Sequence, residues 1–171
     1  MRTVRTKVYK FNELTEQAKE IAIDRMCEIN VGHDWWCGIY MDAENIGLNI
    51  TSFDLDRNRH AKGEFIQTAI YCANKIMTEH GETCETYKTA ANFIAASKEI
   101  EQRAEIEGKD GDEDYWYQDE IEELEEEFLK SLCEDYSILL QKECEYLESD
   151  EAIIETIEAN DYEFLATGKL F

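Results

Sequence analysis

Residues 117–147 read YQDEIEELEEEFLKSLCEDYSILLQKECEYL. Apolar side chains recur at Ile121, Leu124, Phe128, Leu132, Tyr136, Leu139, Leu140 and Leu147, the three- and four-residue spacing that turns one side of a helix into a core. The stretch therefore predicts one helix from about Tyr117 to Leu147, well beyond the three or so turns of an average helix. The chain contains no proline, so nothing in it breaks a helical hydrogen-bond ladder from within.

Outward from this helix the remaining elements take shape. Ser149 caps a shorter helix, DEAIIETIEAN, and YEFLATGKLF reads as a short strand pair closed near Thr167 and Gly168. On the other side lie a helix from about Thr83 to Ile106 and another over EFIQTAIYCANKIMTEH, stopped at Gly81. LNITSFDLD alternates as a strand does, and RNRHAKG after it reads as a turn. A helix is expected from about Asp34 to Asn45, ending at Gly47. Thr15 caps an earlier one, Glu16 to Ile29, and TVRTKVYKF opens the chain as a strand. The expected fold class is α+β, mostly helical, with helices packed on a small antiparallel sheet built from the two chain ends and LNITSFDLD. We expect a single domain over residues 1–171.

Charge divides that domain in two. Residues 1–80 carry 10 basic and 12 acidic side chains, whereas residues 81–171 carry 7 and 28, a net of −21 in a chain whose total is −23. A salt-adapted protein would coat its whole surface, so the asymmetry points to a local purpose. With 43% hydrophobic residues the chain still has enough apolar material to form a core. No apolar run is long enough to cross a bilayer, and MRTVRTKVYKF lacks the apolar segment of a signal peptide. A cytoplasmic protein without membrane contact is expected. Cys27, Cys37, Cys72, Cys84, Cys133 and Cys144 are irregularly spaced and form no C-x-x-C, which suits free thiols, buried or half-buried, in a reducing compartment.

Catalytic and metal-binding patterns are weak. A calcium loop starting at Asp110 finds Asp112 and Asp114 in place, but Tyr115 stands where glycine is needed and Ile121 where the closing Glu belongs. Asp54, Asp56 and Glu64 would form a divalent-metal site if a hairpin brought them together. His33, His60 and His80 with Cys27, Cys37 and Cys84 match no compact zinc spacing, and no phosphate-binding or nucleophile-elbow motif is present. Trp35 and Trp36 read as core anchors. The expectation is a non-enzymatic protein without metal or cofactor; a divalent-metal enzyme using Asp54, Asp56 and Glu64 is the alternative from chemistry.

The acidity is densest in EGKDGDEDYWYQDEIEELEEEF, residues 107–128, with twelve carboxylates and one lysine. Asp119, Glu120, Glu122, Glu123, Glu125, Glu126 and Glu127 put seven carboxylates into nine residues. At about 1.5 Å of rise per residue that is one charge per ~1.9 Å, close to the roughly 1.7 Å per charge of duplex DNA. The partner-binding set expected from this is Asp112, Asp114, Tyr115, Trp116, Tyr117, Asp119, Glu122, Glu123, Glu126 and Glu127, the aromatic trio either stapling the loop onto the domain or serving as an anchor ringed by charge. Its partner would be a basic nucleic-acid-binding protein, with no direct contact to nucleic acid. A homodimer is left open.

YKFNELTEQAKEIAI (Tyr9 to Ile23) and NDYEFLATGKLF (Asn160 to Phe171) resemble small bacteriophage-encoded proteins of hypothetical or antitoxin-like description. In size and acidity the chain also resembles the DNA-mimicking phage antagonists of restriction and CRISPR systems. These resemblances imply an inhibitor of a host defence nuclease, or alternatively an antitoxin that neutralises a toxin. They carry no catalytic residue.

Overall fold

The computed structural model describes residues 5–107 and 115–171. In chain order the elements are β1 (Tyr9–Lys10), a short 3-10 turn (Phe11–Glu13), α1 (Glu16–Arg25), α2 (Cys37–Asn45), β2 (Leu48–Asp54), β3 (His60–Phe65), α3 (Ala69–Glu79), α4 (Glu85–Glu107), α5 (Tyr115–Leu147), α6 (Asp150–Ala159) and β4 (Glu163–Phe164). The class is α+β and mostly helical, as expected. The chain divides into two compact units, one made of residues up to Trp35 with Lys142–Phe171, the other of Trp36–Gln141.

The first unit draws on both ends of the sequence. Tyr9 pairs with Phe164 and Lys10 with Glu163 across an antiparallel β1–β4 ladder, and Phe164 bridges onward to Leu170. Thr15 and Ser149 cap their helices as predicted, each hydroxyl accepting from an amide three residues on, Ala18 and Ala152, at 3.3 Å. Phe11, Leu14, Ala18, Ala22 and Met26 then close on Ile153, Ile157 and Phe164 to form the core, with the Phe11 and Phe164 rings edge to face at 6.2 Å. Gly168 has φ +77°, and a Cβ there would lie 2.1 Å from the Ala18 carbonyl oxygen. Only glycine lets the closing turn lie so near the α1 backbone. α1 stops at Arg25 rather than Ile29. Beyond it Asn30 is buried, donating to the Leu147 carbonyl at 3.0 Å and accepting from the Thr156 hydroxyl at 2.7 Å. Those tertiary bonds hold the segment in turns instead of a fourth helical turn.

In the second unit β2 and β3 form a hairpin of their own, Leu48 opposite Phe65 and Asp54 opposite His60. Among the described residues two separate two-stranded sheets thus replace the one small sheet expected, because LNITSFD pairs with a segment read as turn and helix rather than with the chain ends. β3 disguises itself: the residues it turns inward are Ala61, Gly63 and Phe65, of which one is a large apolar side chain. Gly63 is needed there, since a Cβ would stand 2.8 Å from the Asn49 carbonyl oxygen and 3.3 Å from Cys133 Sγ. The true start of α3 is set by Thr68, whose hydroxyl accepts from the Tyr71 amide at 3.3 Å.

Ile46, Leu48, Ile50, Cys72, Ile76 and Phe93 meet Phe128, Leu132 and Tyr136 of α5 in this unit's core. Phe93 stacks on Phe128 with centroids 4.3 Å apart. α5 buries the row Phe128, Leu132, Tyr136 and Leu140 and the adjacent Cys133 and Ser137. Leu139 belongs to the row on the other flank, with Ser131 and Asp135, and stays 40% exposed, against the sequence expectation. α2 starts at Cys37 rather than Asp34. Trp35 and Trp36 are half-buried rather than core residues, Trp36 lying edge to face on Phe53 at 5.5 Å.

Candidate functional site

The α5 helix sorts its carboxylates by their angular position. At about 100° per residue, Asp119, Glu122, Glu123, Glu126 and Glu127 fall within an arc of about 140°, centred opposite Ile121, Leu124 and Phe128. All five are exposed, and those three apolar residues are half-buried or buried. Glu120 and Glu125 fall on the flanks and are half-buried. Glu120 is also paired with Arg103 of α4 at 2.5 Å. The sequence count of seven therefore overstates the charge that the arc exposes. Five exposed carboxylates along about 12 Å of axis leave roughly 3 Å between charges, nearer the 3.4 Å spacing of one DNA strand than the duplex value.

Of the other residues assigned to this surface, Tyr117 is half-buried on α5. The backbone of Tyr115 and Trp116 forms the start of that helix, and their side chains lie outside the described residues, as do Asp112 and Asp114 altogether.

α4 runs antiparallel to α5, as the pairs Thr89 with Asp135, Phe93 with Phe128 and Arg103 with Glu120 establish. Between the two helices lies a concavity of about 250 Å³. Its floor is apolar, made by Phe93, Ala96, Leu124 and Phe128; its rim is polar, made by Thr89, Asn92, Glu127 and Ser131. Glu127 belongs both to this rim and to the acidic arc. Thr89 donates its hydroxyl proton to Asp135 at 2.7 Å. Burial, more than the neighbouring carboxylates, holds the Asp135 carboxyl above its ordinary range, with the Thr89 bond acting in the opposite direction. Sequence reading missed this feature.

The hairpin does not bring Asp54, Asp56 and Glu64 together. Asp54 Oδ1 accepts from the Asp56 amide at 2.8 Å in a local turn, whereas Glu64 sits opposite Asn49, whose side-chain amide donates to it at 3.0 Å. Asp54 faces His60, so Glu64 lies four residues, or about 13 Å, further along β3. Among the described residues no three His, Cys, Asp or Glu side chains gather as a metal site would require.

A buried polar group elsewhere in this unit ties helices together. Tyr136 is fully buried and donates to Asp42 Oδ2 at 2.8 Å; burial, then the Asp42 charge, pushes its phenol far above the ordinary value, so it remains a proton donor. His80 Nδ1 meets the buried Thr86 hydroxyl at 2.7 Å, and its Nε2 lies 3.7 Å from Asp42 Oδ1. The six cysteines are unpaired. Cys72 and Cys133 are buried and Cys144 half-buried, but Cys27, Cys37 and Cys84 are exposed because they stand in turns or at a helix start. Burial pushes the Cys72 thiol up to about 12.

No helix among the described residues is long and apolar enough to cross a membrane. No protein-family model, curated protein or solved structure matches the chain.

Proposed function

We propose that this protein is a non-enzymatic, phage-encoded inhibitor acting in the bacterial cytoplasm, where it occupies the nucleic-acid-binding surface of a basic host defence protein of the restriction or CRISPR type. The observation that carries the reading is the α5 arc, in which five exposed carboxylates stand opposite the helix's buried side. Like charges three and four residues apart destabilise a helix. A surface built this way gains when lysines and arginines cover it and counterions are released, as they are when a protein binds DNA.

The test is capture of host proteins on the immobilised chain at low and high salt, with wild type beside a variant carrying Glu122→Gln, Glu123→Gln, Glu126→Gln and Glu127→Gln. The reading expects a nucleic-acid-binding protein, held by wild type, weakened by the four substitutions and released by salt. A partner retained equally by both chains would make the contact something other than the acidic arc. A partner that is itself a toxin, held through salt-insensitive contacts, would favour the antitoxin alternative.

A further inference from the structure

We propose that the concavity between α4 and α5 receives one arginine side chain of the basic partner, an inference that rests on the reading of the α5 arc as a surface for basic proteins. Size argues for a single side chain. At about 250 Å³ the space falls below the roughly 300–1,000 Å³ of pockets that enclose small-molecule ligands, so a nucleotide or cofactor is a poor occupant. The layout argues for a long side chain with an apolar stem and a charged, multidentate head. Ala96, Leu124 and the edges of the stacked Phe93 and Phe128 offer a surface for methylene groups. At the rim Glu127 supplies a carboxylate, and the exposed Asn92 and Ser131 supply neutral oxygens.

Charge complementarity selects a cation. Among the described residues Glu127 is the one charged member of the lining, and Glu123 and Asp119 follow it at four-residue steps along the exposed arc. The same rim selects arginine over lysine. A guanidinium presents five donors in a planar fork, sheds water more readily than an ammonium, and can engage a carboxylate through two parallel bonds while giving others to neutral acceptors. A lysine ammonium would find the same charge but use fewer of the acceptors. The arc attracts basic chains in general, and the concavity adds preference for one residue type at one position.

The test uses the full-length chain and fluorescent octa-arginine and octa-lysine peptides, with binding read by anisotropy at low salt. Octa-arginine is expected to bind about five- to tenfold more tightly than octa-lysine, the gain of one well-placed charge-assisted fork at a partly exposed site. Glu127→Gln and Glu126→Gln each remove one charge from the arc, yet Glu127→Gln should cost octa-arginine about threefold more, because only Glu127 borders the concavity. Ala96→Leu, which fills the floor without altering charge, should bring octa-arginine down to the level of octa-lysine. An arginine preference that survives Ala96→Leu, or equal effects of the two Gln substitutions, overturns the arginine receptor while leaving the acidic arc intact. Failure of both peptides to bind overturns the arc reading as well. Should Ala96→Leu prove misfolded by circular dichroism, the comparison of Glu127→Gln with Glu126→Gln decides.

Discussion

Replacing Glu122, Glu123, Glu126 and Glu127 together by Gln should make the protein more stable. The exposed arc contains five like-charge pairs at three- or four-residue spacing: Asp119 with Glu122 and Glu123, Glu122 with Glu126, and Glu123 with Glu126 and Glu127. At about 0.2–0.5 kcal/mol for each pair, removing all five returns about 1–2.5 kcal/mol. Little is lost in exchange. Gln and Glu have nearly equal helix propensity, and α5 begins at Tyr115, so these side chains lie beyond the first turn, where the helix dipole favours acids most. For a chain of this length 1 kcal/mol moves the melting temperature by about 2–4 °C, which gives a rise of about 2–10 °C at low ionic strength. Circular dichroism melts provide the assay. If two transitions resolve, the shift belongs to the one that reports residues 36–141. At about 1 M salt, with a screening length near 3 Å, most of the gain should vanish. A fall in melting temperature at low salt, or a rise of the same size at both ionic strengths, would refute the argument that the arc is held in mutual repulsion.

Two further expectations concern the scaffold. Gly168→Ala puts a side chain on a residue with φ +77° and drives its Cβ to 2.1 Å from the Ala18 carbonyl oxygen; the unfolding midpoint in denaturant should fall by the equivalent of about 2 kcal/mol or more, and an unchanged midpoint would contradict the close approach. Asp135→Asn keeps an acceptor for Thr89 but removes a carboxyl that burial holds above its ordinary range. Because the folded-state value is raised, Asp135 favours the fold below its unfolded value near 4 and loses that contribution as pH climbs through the raised one. The stability of wild type relative to Asp135→Asn should therefore decline from about pH 4 towards neutrality, and a difference that stays flat with pH would show that Asp135 titrates normally.

The long helix and its neighbours were legible because their apolar side chains keep a regular period and because Thr15 and Ser149 announce two helix starts by their chemistry. β3 was hidden for the opposite reason: Ala61 and Gly63 fill its inward positions, and small residues carry almost no strand signal. Thr68 was the available clue, since a cap there places the helix start after the strand. The acidic arc could be read from spacing alone. Its effective density could not, because it depends on which acids fall at the flanks and on Arg103, seventeen residues before its partner Glu120. The α4–α5 concavity was beyond sequence reasoning. It exists where Ala96 leaves room against Leu124 and Phe128, and that juxtaposition depends on the antiparallel register of two helices.

The first unit is discontinuous, and this imposes an order on synthesis. Phe11, Leu14, Ala18 and Ala22 complete their core with Ile153, Ile157 and Phe164, so their apolar face must wait while more than a hundred intervening residues are added. At about 5–20 residues per second that interval is on the order of 10 s. Residues 36–141, whose core partners all lie within their own span, can close their core without waiting for the segment that follows them. During that wait the apolar side of the segment around α1 stays exposed, and the exposure ends once α6 and the β4 segment are free to pack and pair with it.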